Sequence, residues 1–72
     1  MAIIRLMGID PGSRMTGYGM IEVDGPRNRH IASGGIQTDS SRPVPERLKT
    51  IFEGIAAVIR EYQPVEVAVE QV

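Results

Sequence analysis

Apolar residues recur along this chain in two rhythms. Positions 3–9 form a short apolar run interrupted by Arg5, and the run stops at Asp10-Pro11-Gly12-Ser13. That pattern predicts a strand entering a turn, because Pro cannot donate to a central ladder and Gly adopts backbone angles other residues avoid. Positions 17–23, Gly-Tyr-Gly-Met-Ile-Glu-Val, predict a second strand. The Asp-Gly pair of Asp24-Gly25-Pro26 predicts the next turn. Positions 29–37 predict a third strand, in which Gly34-Gly35 marks a bulge or a close packing contact.

The rhythm then changes. Positions 38–44 are polar and contain Pro, which predicts a loop. Pro45 and Glu46 suit the first turn of a helix. Leu48, Ile51, Phe52, Ile55, Ile59 and Tyr62 recur at helical spacing and predict one apolar face. Lys49, Glu53 and Arg60 fall on the opposite side. Gly54 costs a helix interior about 1 kcal/mol, and nothing in the local sequence accounts for it. Gln63-Pro64 ends the helix, and 65–69 predict a fourth strand that delivers Glu70.

The element order is therefore β-β-β-α-β. Tight turns make the first three strands an antiparallel meander, so strands one and three point the same way. The helix is a crossover, right-handed by the general rule, that lets strand four run parallel to both. Strand four can join either edge of the meander on these grounds. Only a place beside strand one brings Asp10 and Glu70 together.

Composition narrows the classes. Seventy-two residues form one domain at most, and a chain this short buries only about 60% of its unfolded surface. There is no Cys, which excludes a disulfide framework and a thiolate metal site. The formal net charge is -1 and no basic run occurs, so composition lends nucleic-acid binding no support. The start of the chain lacks a signal-peptide pattern. No apolar stretch approaches the roughly 20 residues of a membrane span. A soluble, cytoplasmic protein is expected.

Candidate chemistry lies at the two strand ends. In open α/β sheets, ligands gather at the carboxyl edge, and Asp10 and Glu70 both sit there. Side by side, two carboxylates repel, and a divalent cation that accepts oxygens from both removes the conflict. Mg²⁺ has the matching preference for oxygen. Each residue also has a plainer reading. Asp before Pro-Gly is a common turn former, and Glu at a strand end commonly reaches solvent. Glu66 and His30 read as exposed strand residues, and Tyr18 and Phe52 as packing residues. Arg14 could meet a DNA phosphate, although a surface Arg without that role is the simpler reading.

Taken together the segments are more specific. Gly8-Ile9-Asp10-Pro11-Gly12-Ser13 followed by Thr16-Gly17-Tyr18-Gly19 resembles the opening of the RuvC resolvases, the crossover junction endodeoxyribonucleases. Pro45-Glu46-Arg47-Leu48 opens a helix similar to theirs, and Gln63-Pro64 with Val67-Ala68-Val69-Glu70-Gln71-Val72 looks like their second acidic motif. The resemblance runs the length of the chain. It implies a ribonuclease H-like mixed sheet of spatial order 3-2-1-4, incomplete here, with residues 1–72 forming the N-terminal part of one nuclease domain. It implies Asp10 and Glu70 as catalytic metal ligands, two Mg²⁺ per complete active site, and symmetrical nicking of four-way junction DNA by a homodimer. RuvA and RuvB would be partner proteins in DNA recombination and repair.

The same resemblance places further acidic ligands on a C-terminal helix beyond Val72, together with dimer-forming helices and most DNA-binding basic residues. The 72-residue polypeptide is therefore expected to be a fragment or truncated product with little or no activity alone. Because one helix covers only one face of a sheet, aggregation or partial folding is also expected. Two rivals share the Gly-Ile-Asp element or its Asp-x-Gly turn: RuvX (YqgF)-type nucleases and the actin-like ATPases. The Thr-Gly-Tyr-Gly segment and the Glu-Gln-Val ending favour RuvC over the first. Pro11 and the lack of a Gly-rich adenosine motif speak against the second.

Overall fold

The strands and helix follow the order read from the pattern: β1 (Ile4–Asp10), β2 (Met15–Asp24), β3 (Arg27–Gln37), α1 (Val44–Tyr62) and β4 (Glu66–Val69). The structure is a computed structural model that describes residues 3–12 and 14–70. Ser13 of the first motif and Gln71-Val72 of the last lie outside the described residues. The four strands form one sheet of order β3-β2-β1-β4. β1 and β2 pair antiparallel, as do β2 and β3. The crossover through α1 returns the chain to the β1 edge, where β4 pairs parallel.

Only Gly25 and Pro26 separate β2 from β3, and Gly25 carries the positive φ of 58° that this reversal requires. Pairing then slips once: Met20 faces Ala32 but Ile21 faces His30, leaving Ile31 as the extra residue of a bulge. The bulge thus lies upstream of Gly34-Gly35. Those glycines serve the other expected purpose, close packing. A Cβ on Gly34 would lie 2.7 Å from the Tyr18 hydroxyl, and one on Gly35 would overlap the Met15 side chain.

Met7 and Met20, register partners on β1 and β2, are fully buried beneath Val58 of α1. Ile55, Ile59 and Tyr62 pack around them. This corrects the expected contact face. Leu48 is 60% exposed and Phe52 74% exposed, so Phe52 is not a packing residue here, while Val58 enters the core instead. At about 100° per residue, the apolar arc of α1 is broad. Leu48 and Phe52 occupy one flank of it and Val58 the other. Gly54 explains the choice of flank, for a Cβ there would lie 2.7 Å from Ile36 Cδ1 and 3.1 Å from Cγ2. Its missing side chain lets α1 approach β3.

The approach to α1 is shaped by an Asx turn. The Ser41 hydroxyl and N–H donate to Asp39 Oδ1 at 2.6 and 2.9 Å. The hydroxyl bond first, then the N–H bond, hold the Asp39 carboxyl below its ordinary value. At its other end α1 stops where Gln63 turns left-handed and donates its N–H to the Ile59 carbonyl at 2.8 Å.

Strand alternation puts Ile4, Leu6, Ile21 and Val23 on the face away from α1. β1 and β2 are thus apolar on both faces, the composition of a sheet covered on two sides. Only one side is covered by the described residues. The chain exposes 5468 Å², against about 4,400 Å² for a folded protein of its mass. Its extents of 47 × 24 × 15 Å describe a thin slab. Val65, Val67 and Val69 are exposed along the β4 edge.

Two outcomes follow. Gly54→Leu, despite better helix propensity, should lose about 1–3 kcal/mol in urea unfolding because the added side chain would crowd Ile36 of β3. The 72-residue chain should self-associate with rising concentration in sedimentation velocity; a monomer with a sharp cooperative melt would contradict this.

Candidate active site

The position of Asp10 follows from β1. It is the last residue of that strand and faces Gly17 across β2. Met7 belongs to the core beneath α1 and Ile9 packs against it, so Gly8 and Asp10 project from the opposite face. Gly8 pairs with Ala68 of β4 and Ile9 with Val69. Ala68 and, two residues on, Glu70 therefore share the face of Gly8 and Asp10. The Glu70 N–H donates to the Ile9 carbonyl at 2.9 Å, which extends the ladder by one step. The two acids thus stand on neighbouring strands, whose backbones in a sheet run about 4.8 Å apart, and both are exposed.

They border a shallow cleft of ≈ 420 Å³ whose lining includes Gly8, Gly17, Gly19 and Ala68. Gly8 and Gly19 are register partners, and a Cβ built on either meets nothing within 4 Å. The floor beside the acids is therefore bare backbone, where another chain or a ligand can come close. Sequence reasoning used Gly8, Gly17 and Gly19 as motif letters and missed this role. The signal was present, since glycines inside apolar strands mark close approach.

Arg14 is exposed in the turn before β2, outside the cleft lining, and its carbonyl accepts the Thr38 N–H at 3.0 Å. Glu66 and His30 are exposed strand residues, in line with their plainer readings. Tyr18 is half-buried and packs against the core beneath α1.

Among the described residues no group of three or more His, Cys, Asp or Glu gathers as a metal cluster. The acidic pair alone offers carboxylate oxygens, the donor type of Mg²⁺, which binds through one or two carboxylates and completes its shell with water and phosphate. The donor chemistry fits that ion. In the turn beside the pair, position 12 leaves no room for a side chain, because a Cβ on Gly12 would overlap the Met15 carbonyl oxygen.

Because the Gly8 and Gly19 sites are open and neither has a positive φ, Gly8→Val and Gly19→Val should leave the fold intact. Each should shift urea stability by no more than about 1 kcal/mol, toward greater stability. A loss of several kcal/mol would show that the cleft floor is already filled.

Comparison with known proteins identifies the family. A sequence profile described as "Crossover junction endodeoxyribonuclease RuvC" matches residues 6–72. The RuvC protein of Pelobacter propionicus is 56% identical over 69 residues, covering 96% of this chain and 39% of that protein. The relative from Geobacter sulfurreducens is 55% identical, with 96% and 42% covered. The chain thus spans about two fifths of the length of these relatives. Thermus thermophilus RuvC, solved with a Holliday junction substrate, superposes with a TM-score of 0.84 at 29% identity, covering 94% of this chain and 42% of that one. The Aquifex aeolicus PPX-GPPA enzyme superposes with a TM-score of 0.73 at 18% identity, over 94% and 26% of the two chains, which is a likeness of fold alone. The sheet order and the helical crossover are those of the ribonuclease H-like fold. With its profile match running from β1 through the second acidic motif, the chain belongs to the RuvC family of crossover junction endodeoxyribonucleases.

Proposed function

We propose that this chain carries two acidic ligands of a divalent-metal-dependent endonuclease that resolves four-way DNA junctions in recombination and repair. The observation behind this reading is the meeting of Asp10 and Glu70 on one face, at the carboxyl edge of adjacent parallel strands, in a member of the RuvC family. Sequence similarity across residues 6–72 favours RuvC over the RuvX and actin-like readings. The Thermus thermophilus relative was solved with junction DNA, and that substrate class is proposed for this protein too.

In this reading Asp10 and Glu70 hold Mg²⁺, with two ions in a complete site. Bound there, the metal supplies Lewis acidity toward a phosphodiester and a water of lowered pKa. The chain's own residues set the access. Bare backbone at Gly8, Gly17 and Gly19 lets polymer come close to the carboxylates. Gly12 keeps the turn beside Asp10 tight. Arg14, exposed near that turn, is proposed to meet a DNA phosphate from outside the cleft. Action on two crossed strands suits a homodimer, and RuvA and RuvB are the proposed branch-migration partners. A cytoplasmic location accords with action on DNA. Among the described residues no helix is long and apolar enough to cross a membrane.

Mg²⁺ should stabilise the chain against heat through the acidic pair. At a concentration tenfold above Kd the gain is about 1.4 kcal/mol. Asp10→Asn and Glu70→Gln should abolish that gain while leaving the metal-free melt unchanged or slightly higher, since one of two facing charges is removed. An equal Mg²⁺ response in wild type and Asp10→Asn, or none in either, would sink the metal assignment. On a four-way junction with Mg²⁺ the 72-residue polypeptide should cut poorly or not at all; full resolvase activity would show that two carboxylates suffice.

A further inference from the structure

Arg5 interrupts the apolar run of β1, and the acidic cleft lies at the other end of that strand. Its guanidinium makes two directed bonds. Nε donates to Glu22 Oε2 at 3.0 Å, and NH1 donates to the Tyr62 carbonyl, in the last residue of α1, at 3.0 Å. Glu22 is itself held in place. Its other oxygen accepts from Arg29 NH2 at 3.1 Å, and its side chain is only 14% exposed. The Arg5 backbone carbonyl accepts the Val65 N–H at 2.9 Å. One residue of β1 therefore grips both sides of the bend at Gln63-Pro64: Tyr62 through its side chain and Val65 through its main chain.

That bend decides where β4 enters the sheet. β4 has four residues and all are exposed, so burial does little to select its register. A slip of one residue would turn the Glu70 side chain to the α1 face. A slip of two would keep the face but carry Glu70 about 6.6 Å along the strand. Either separates it from Asp10. At the far end of β4 the register is held by the Glu70 N–H on the Ile9 carbonyl, which belongs to the site itself. The entry point is the other anchor.

We propose that Arg5 is a positioning residue for the Asp10–Glu70 pair: held by Glu22, its guanidinium clamps the end of α1 and selects the register in which β4 joins β1. A planar guanidinium serves two acceptors at fixed angles, whereas an ammonium is a single point of charge. The consequence for metal binding rests on the reading proposed above; the consequence for register does not.

The test compares wild type, Arg5→Lys and Glu22→Gln in the full 72-residue chain, by residue-resolved amide exchange and by titration with Mn²⁺. Arg5→Lys should speed exchange at Val65 and Glu70 by about tenfold while the β1–β2 ladder keeps its protection, and Mn²⁺ affinity should fall by about tenfold. Glu22→Gln keeps an acceptor for Nε and should give a smaller change at the same two amides. Should Arg5→Lys unfold the sheet, Glu22→Gln carries the comparison. Unchanged exchange at Glu70 overturns the proposal. So does a loss of protection spread evenly over all four strands, which would make Arg5 a general stabiliser, and so does a Glu70 amide already unprotected in wild type. If wild type takes up no Mn²⁺ while Glu70 protection still depends on Arg5, the clamp stands and the metal reading fails.

Discussion

Register pairs from Leu6–Glu66 to Ile9–Val69 join β4 to β1 in parallel, and the acidic cleft exists because of them. Parallel neighbours need a crossover, which α1 provides. The crossover also reverses the chain twice, so that β1 and β4 both end at the same edge of the sheet. Two acids sixty residues apart along the polymer then share one face at one edge. No other pairing within the sheet would do this, since β2 runs the opposite way and β3 lies two strands from β1.

The same pairing sets what the sheet can support. α1 covers one face with Val58, Ile55, Ile59 and Tyr62 over the buried methionines. Among the described residues the other face is uncovered, with apolar side chains toward one end and bare glycine backbone toward the acids. The two zones differ in use. Leu6 and Ile21 present the kind of surface that a sheet in an α/β protein hides. Gly8 and Gly19 give up side-chain packing and keep clearance beside charged groups. A β-branched residue at either position would add strand stability, so the clearance next to Asp10 carries a cost in stability.

Electrostatics divides along the strands as well. At one end the Arg5–Glu22–Arg29 chain pairs opposite charges. At the carboxyl end Asp10 and Glu70 bring like charges together. A fold gains little from placing two carboxylates side by side. The cation proposed above to sit between them would offset that repulsion.

Much of this was legible in the letters. Strand periodicity, the Asp-Gly turn and the Gln63-Pro64 stop depend on local backbone preferences, and each element lies within two residues of its expected limits. Asp10 and Glu70 could be singled out because both end apolar runs. Strand patterning and crossover handedness alone left open which edge β4 would join; the resemblance to RuvC resolvases implied the β1 edge, and β4 pairs there. They misplaced the contact face of α1 because a broad apolar arc fits several rotations of the helix. The rotation was chosen by a contact distant in sequence, Gly54 against Ile36. The bulge at Ile31 and the bonds from Arg5 to Glu22 and Tyr62 have no local signature either, since they join residues brought together only by the sheet. Local sequence sets the conformation of each segment; which segments become neighbours, and with which faces, is decided where side chains compete for the same space.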